Sequence, residues 1–461
     1  MMLFEHEYYS VEDILRVASK AEGKEVGCFD INGRLKVNGN KGQIGHVIQE
    51  GLFNMPLDTR PEADFQPIGI ELKVTGLKKH KNKKSYSAKE RLVLSKINYM
   101  EEYKNSFEKS TFWQKNQKLA IMFYAWEAKK TKNKFKIIKT LIHEFSPEDL
   151  VIIKRDWNSI MEKVKKGLAH EISERDTIYL SACTKGRNGN ELVSQPFSNI
   201  GAKPRAYALK ASYITAFVKR NLNNESVIKL FDLEELERKS IEDLLISRFE
   251  KFYGSRIDEI LEDDKIGLKD KAIYYRVANK IMGLGNSDLS ESDEFLKANI
   301  RVKTIRLEPN GRPKESMAFE NIDFKRWIID DWEESQIFQN FEETKFLFVV
   351  FQYRETEKEN PNRIAYLKFV KWWTMPKEIL EGPVKDFWQL TRQRLINGVK
   401  FTNKNGKTYN NLPSSRETPV CHVRSKAKLA NVKTQLPDGQ MITKQAYWLN
   451  RVYIETLLKD C

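Results

Sequence analysis

The stretch Pro61-Glu62-Ala63-Asp64-Phe65-Gln66-Pro67-Ile68-Gly69-Ile70-Glu71-Leu72-Lys73 decides how the chain is read. Its skeleton is an aspartate, six residues, a glutamate, one residue and a lysine. The aliphatic run from Ile68 to Val74 predicts a strand. Alternation along a strand puts Glu71 and Lys73 on one face and turns Leu72 into the core. Asp64 stands before a turn punctuated by Pro67 and Gly69 and can fold back beside Glu71. Two carboxylates then converge with one ammonium, a donor set for a hard cation such as Mg2+. The ion would generate hydroxide and stabilise the charge of an in-line phosphoryl displacement. Lys73 would orient the attacking water or neutralise the developing oxyanion. The same pattern also suits an edge strand with solvated charges.

Around this stretch, 461 residues suggest two domains or more, and a 40% hydrophobic content suffices for a core in each. Mean hydropathy is −0.58 and no apolar run reaches spanning length, so no transmembrane helix is expected. The start lacks the basic region and apolar run of a secretory leader. Cys28, Cys183, Cys421 and Cys461 are widely spaced without a CxxC pair, which predicts a reduced, cytoplasmic protein without structural zinc. Residues 1–220 carry 39 Lys and Arg against 26 Asp and Glu; residues 221–350 carry 20 against 28, and 351–461 carry 20 against 10. Two basic blocks flank an acidic middle, which suggests a polyanion partner or a solvated lysine surface.

In chain order, helical periodicity is read over Val11–Glu22 and from Gly42 to about Glu50, with Gly51 as a stop. Beyond Lys73 a hairpin is expected, with Lys78 and Lys79 leading into a lysine-rich tip suited to phosphates or to solvent. Lys118–Tyr124 reads as a buried strand with Lys115 just before it. Asp149–Leu168 reads as a helix and Thr177–Leu180 as a short strand. The latter leads into a polar loop carrying Lys185 and Arg187, whose side chains could donate to guanine in a DNA groove or merely face solvent. Arg205–Arg220 is read as a helix. Lys89, Arg91, Lys203, Arg205 and Lys210 are further candidate DNA contacts.

The Asp64–Glu71–Lys73 skeleton matches the PD-(D/E)XK nuclease signature. Together with Lys41-Gly42-x-Ile44-Gly45, and with Ser110 and Lys115, it resembles the MutH family of nucleases. Lys89–Leu94 and Ile97-Asn98-Tyr99 are especially similar to the two-copy restriction enzymes of that family, the Sau-three-A class. The resemblance implies Mg2+-dependent cleavage of double-stranded DNA at GATC. On it, Asp64 and Glu71 hold the metal, Lys73 is catalytic, Lys115 is a second lysine of the site and Lys185 reads bases. It also implies a further acid four residues after Gly45. That slot is Gln49, followed by Glu50, and Glu50 is the preferred candidate.

The second half reads as a decayed copy. Glu294, then Arg301-Val302-Lys303, parallels Asp64, then Glu71-Leu72-Lys73; Ser335 to Asn340 parallels Ser110 to Lys115; Lys345–Tyr353 parallels Lys118–Trp126; and Ala446-Tyr447 parallels Ala206-Tyr207. Arg301 and Asn340 replace the residues a metal site needs, while His422, Arg424, Lys426 and Lys428 keep a basic cluster before a helix bearing Tyr447.

The expectation is therefore a mixed α/β protein of tandem PD-(D/E)XK-like folds. It comprises a catalytic domain at 1–222, an acidic helical connector at 223–270, and at 271–461 a non-catalytic domain that binds a second DNA copy or serves as a scaffold. The function expected is a type II restriction endonuclease, with a possible dimer on DNA, no membrane partner and a cognate DNA methyltransferase as companion. A MutH-type mismatch-repair nicking enzyme and an inactive DNA-binding protein are the alternatives.

Overall fold

The computed structural model describes residues 8–36, 42–57, 60–80, 85–186, 191–262, 272–285, 287–427 and 432–459. Lys41, the hairpin tip 81–84, Arg187, Asp263, Asp264, Lys428 and Cys461 lie outside the described residues. Cys28, Cys183 and Cys421 are free thiols. No helix among the described residues is long and apolar enough to cross a membrane.

The chain forms two compact units, Met1–Ser240 with Glu291–Asn299, and Ile241–Ser290 with Ile300–Cys461. The acidic stretch 223–270 is thus divided between them rather than standing apart.

In the first unit, α1 (Val11–Ser19) is capped by Ser10, and α2 (Gln43–Gly51) buries Ile44, Val47 and Ile48. Gly51 is needed for close approach, since a Cβ there would lie 1.8 Å from the Phe29 carbonyl oxygen. The strand expected from Ile68 starts later, as β1 (Glu71–Lys79), because Gln66–Ile68 forms a single 3-10 turn and Gly69 takes φ +63°. With β2 (Tyr86–Ala88), β4 (Lys118–Trp126) and β5 (Lys136–Glu144), β1 makes a sheet of order β2-β1-β4-β5. Leu119 to Phe123 are wholly buried, so β4 is apolar on both faces, as a central strand must be. β1 and β4 are parallel, with Glu71 opposite Leu119, and the other two pairings are antiparallel. α3 (Thr111–Asn116), capped by Ser110, leads into β4, and α4 (Pro147–Lys165) packs Trp157 into the core.

A second, antiparallel sheet has the order β3-β7-β6, from β3 (Leu92–Lys96), β6 (Leu180–Thr184) and β7 (Arg205–Leu209). Two expectations fail here. The strand read over Thr177–Leu180 begins at Leu180, because the buried Asp156 carboxylate accepts the N–H groups of Ile178, Tyr179 and Leu180. The helix read from Arg205 is a strand to Leu209 and becomes helix α5 only at Ala211–Asn221. Ala206 to Leu209 are buried on both faces, which removes the alternation that marks a strand.

The first unit is completed by α6 (Asp293–Ala298). Lys297 Nζ lies 2.7 Å and 2.8 Å from the Asp149 carboxylate oxygens and 2.6 Å from Asp293, and Tyr213 donates to Asp149 at 2.7 Å. Glu294 accepts the N–H groups of Leu230 and Phe231. It therefore caps a segment of the first unit.

The second unit repeats the frame. β8 (Ile300–Leu307), β10 (Lys345–Tyr353) and β11 (Ala365–Trp373) form a sheet with β8 and β10 parallel and Arg301 opposite Phe346. The bulge between Phe123 and Tyr124 in β4 recurs between Val350 and Phe351 in β10. β9 (Met317–Asn321), β12 (Cys421–Ser425) and β13 (Gln445–Leu449) form a sheet of order β9-β13-β12, matching β3-β7-β6. Tyr447 lies in strand β13; its helix, α8 (Arg451–Leu457), follows. α7 (Gln336–Glu343) is capped by Ser335 as α3 is by Ser110.

Lys297 is buried between two buried carboxylates, and removing one partner of such a cluster leaves uncompensated charge. Lys297→Met should therefore destabilise the first unit by about 3–5 kcal/mol, read as a lower denaturant midpoint in fluorescence-monitored unfolding.

Candidate active site

An antiparallel bridge between Phe65 and Ile70 closes the turn that carries Asp64 back onto β1. Leu72 N donates to Asp64 Oδ2 at 2.9 Å, and Asp64 N donates to Glu71 Oε2 at 3.2 Å. Strand alternation puts Lys73 beside Glu71: its Nζ donates to Glu71 Oε1 at 2.8 Å and to the Leu94 carbonyl at 3.0 Å. Leu72 points into the core. Lys115, at the end of α3, reaches the same place from the start of β4. Its Nζ lies 3.6 Å from Glu71 Oε2 and donates to the carbonyls of Arg60 and Glu62, each at 3.0 Å. Asp64, Glu71, Lys73 and Lys115 are thus one cluster.

Of the cluster, Asp64 borders a small cavity of about 50 Å³, whose lining also includes Gln49, Met55, Pro56, Arg60, Glu62 and Ala63. Burial, and then the negative charge of Glu71, push the Asp64 carboxyl up to about 6, against the opposing pull of Leu72 N–H, Lys73 and Lys115. A carboxylate destabilised by burial and by a second carboxylate is relieved by a cation, so the donor set fits a divalent ion. Among the described residues, no group of three or more His, Cys, Asp and Glu side chains is arranged to hold a metal.

Glu50, the preferred candidate, is engaged by another side chain. Glu50 is held by Arg34 through Nε at 2.5 Å and Nη2 at 2.7 Å, and that guanidinium keeps its carboxyl below the usual range. One residue is about 100° of helix rotation, so Glu50 turns to Arg34 while Gln49 lines the cavity with Asp64. Gln49 Nε2 donates to the Pro56 carbonyl at 2.8 Å.

The candidate DNA contacts separate into two groups. Lys78, Lys79, Lys185 and Lys203 are exposed, and Lys78 and Lys89 both lie 5.5 Å from the Trp126 ring centroid. Arg424 is exposed and lies 5.2 Å from the Trp448 ring centroid. Arg91, by contrast, is paired with the buried Glu174. Arg205 Nη1 donates to the Ala182 carbonyl at 2.5 Å, and the buried Lys210 donates to the Thr177 carbonyl at 3.1 Å. These three are engaged within the fold, as is His422, which is buried against Asn450 Oδ1 at 2.5 Å.

Strand register relates Lys426 to Lys185: each follows the last residue of its strand, and their N–H groups donate to Lys444 O at 3.0 Å and Pro204 O at 2.8 Å. In the second unit, Arg301 Nη1 donates to Asn340 Oδ1 at 2.9 Å, so the counterparts of Glu71 and Lys115 also meet. Two further members escaped sequence reasoning: Glu320, paired with Arg301, and Tyr447, whose hydroxyl donates to Glu320 at 2.5 Å. Only the pairing of β9 with β13 reveals them.

The chain is similar to known nucleases along its length. The sequence pattern of the family described as DNA mismatch repair enzyme MutH matches residues 53–156 and 285–382. The type II restriction enzyme Sau3AI of Staphylococcus aureus is 32% identical across 98% of this chain and 99% of its own length. MutH DNA mismatch repair proteins of Shewanella amazonensis and Shewanella woodyi are 23% and 24% identical, over 46% and 47% of this chain and 95% and 94% of their own lengths.

The raised pKa of Asp64 has a consequence for stability. The folded protein binds its proton more tightly than the ordinary value of 3.8 allows in the unfolded chain, so stability falls as pH rises from about 4 to about 6 and stays lowered above that. Asp64→Asn keeps an acceptor for Leu72 N–H without the charge. In EDTA it should raise the Tm above pH 6, with a gain that shrinks as pH falls toward about 4, as thermal melts across that range would show.

Proposed function

The chain belongs to the MutH-like, Sau3AI-type family of type II restriction endonucleases, site-specific deoxyribonucleases that act on double-stranded DNA, and from that premise we propose Mg2+-dependent hydrolysis of phosphodiester bonds at GATC. The observation that carries the reading is the convergence of Asp64, Glu71, Lys73 and Lys115 in one cluster. A MutH-type repair enzyme is disfavoured, because the MutH relatives span under half of this chain.

Asp64 and Glu71 would hold the ion through their carboxylates. Gln49, whose side chain lines the same cavity, would offer a neutral amide oxygen where the family resemblance implies an acid. When bound, Mg2+ supplies a hydroxide near neutral pH and stabilises charge on the phosphoryl oxygens. Lys73 would act on the reacting phosphate. Its ammonium is held between Glu71 and the Leu94 carbonyl, so it is presented at a fixed place and can orient the attacking water or neutralise the oxyanion. Water would attack phosphorus as the bond to the leaving sugar oxygen breaks; the new phosphate would keep the water oxygen, and the proton the water loses to solvent would be matched by one the leaving oxygen gains. Lys115 would be a positioning residue: by gripping the carbonyls of Arg60 and Glu62 it fixes the turn that carries Asp64.

Lys185, exposed at the end of β6, would donate to a base edge in the major groove. Lys78, Lys79, Lys89 and Lys203 would lie along backbone phosphates. Arg424 and Lys426 would serve a second DNA copy on the second unit, where the last basic block lies. An enzyme cutting GATC in a cytoplasm also needs a methyltransferase to protect host DNA. Pairing of two chains on DNA would let both strands be cut.

Two outcomes are expected. Asp64→Ala or Glu71→Ala should abolish plasmid cleavage in Mg2+ while binding of a GATC duplex in Ca2+ persists; cleavage at the wild-type rate would refute the site. Gln49→Ala should raise the Mg2+ concentration needed for half-maximal cleavage, whereas Glu50→Gln should leave it unchanged and instead lower the Tm.

A further inference from the structure

The second unit keeps the frame of the active site and changes its charges. Three cations meet three successive residues of β9. Lys303 Nζ donates to the Ala318 carbonyl at 2.8 Å, Lys426 Nζ donates to the Phe319 carbonyl at 2.5 Å, and Arg301 pairs with the Glu320 carboxylate. Lys303 also lies 4.4 Å from the Phe319 ring centroid. Glu320 is the one carboxylate that these contacts bring in, so Arg301, Lys303 and Lys426 leave an excess of two positive charges. Burial, together with Arg301 and Lys426, pushes Lys303 down to about 8 even though Glu320 pulls it up. Cations that depress one another's ionisation in a partly buried site are relieved by an anion.

A second observation points the same way. Asn340 stands where Lys115 stands in the first unit and is 8% exposed, yet its Nδ2 has no hydrogen-bond acceptor among the described residues. Lys115 finds its acceptors on the turn that carries Asp64. The corresponding residues before β8 form the helix α6 and not such a turn. Asn340 Oδ1 meanwhile accepts from Arg301 Nη1 at 2.9 Å and fixes the guanidinium. Arg301 makes no hydrogen bond through Nε or Nη2 among the described residues, and its side chain is 42% exposed.

We propose that Arg301, Lys303, Lys426 and Asn340 form a metal-independent clamp for one backbone phosphodiester of duplex DNA. The Arg301 guanidinium stands where the first unit places the metal-binding Glu71, so fixed positive charge takes over the role of an ion. Arg301 offers the two-pronged donor geometry that suits phosphate. Lys303 and Lys426 add charge, and Glu320 competes with the phosphate for Arg301, holding it ready when DNA is absent. The clamp has no water-activating carboxylate and leaves the phosphodiester intact. It rests on the reading that the second unit binds DNA, and deepens it by naming the atoms that do so.

The test uses the full-length chain in EDTA, where cleavage is silent, with a fluorescent GATC duplex titrated at several salt concentrations. Binding stoichiometry is measured by sedimentation. Wild type should bind two duplexes. Arg301→Gln should weaken the second by about tenfold, the worth of a charge-assisted phosphate contact, and reduce its salt slope by about one. Glu320→Gln, which frees Arg301 from its competitor, should tighten the second duplex. That opposite direction decides the matter even if Arg301→Gln fails to fold, which its thermal melt would reveal. Two duplexes bound by wild type, with second-site affinity and salt slope unchanged in Glu320→Gln and in folded Arg301→Gln, would overturn the clamp and leave DNA binding by the unit standing. A single duplex bound by wild type at every salt concentration would overturn that underlying reading, and the clamp with it.

Discussion

The parallel pairing of β1 with β4 is the constraint on which the rest depends. Parallel strands start at the same end of a sheet. With Glu71 opposite Leu119, the first residue of β1 and the approach to β4 fall side by side. Lys115, one short step before β4, is therefore delivered to Glu71 from a segment 44 residues away in sequence. The Asp64 turn, closed by the Phe65–Ile70 bridge and the left-handed Gly69 and gripped by Lys115, completes the cluster. None of these side chains is placed by a long loop. Each sits within a few residues of a strand whose neighbours are fully buried, which is how a fold holds a charged constellation to tight tolerance.

The second unit shows what the same constraint does with different residues. Arg301 faces Phe346 as Glu71 faces Leu119, and Asn340 meets Arg301 as Lys115 meets Glu71. The strand register, the helix cap and the β-bulge persist, because each is set by backbone hydrogen bonds and core packing. The chemistry is set by a few side chains at strand ends, where a substitution leaves the core alone. One frame thus presents a carboxylate pair with two lysines and, in its repeat, a cluster with an excess of positive charge. Fold and charge vary independently here, and function follows the charge.

Burial of charge ties the first unit together as well. Lys297, between Asp149 and Asp293, comes from a segment separated from the rest of its unit by residues 241–290. Such a cluster is tolerable only when every charge has its partner, so the first unit is complete only when its last helix is in place.

The sequence by itself determined the Asp64–Glu71–Lys73 constellation, the buried strand at Lys118, the recurrence of the Ser110 segment at Ser335 and that of Arg301 at the place of Glu71. These depend on strand alternation and on residues near one another in the chain, which are local properties. What only the tertiary structure decided depends on distant partners. Whether Gln49 or Glu50 faces the site turned on Arg34, which captures Glu50. Arg91, Arg205 and Lys210 read as DNA contacts from charge alone, yet their partners are Glu174, the Ala182 carbonyl and the Thr177 carbonyl. Glu294 fits the spacing of Asp64 but packs into the other unit. The strand at Arg205–Leu209 looked helical because burial on both faces erases the period of two. A charged side chain is legible in sequence, but whether it is spent inside the fold or left for a ligand is settled by what the chain brings beside it.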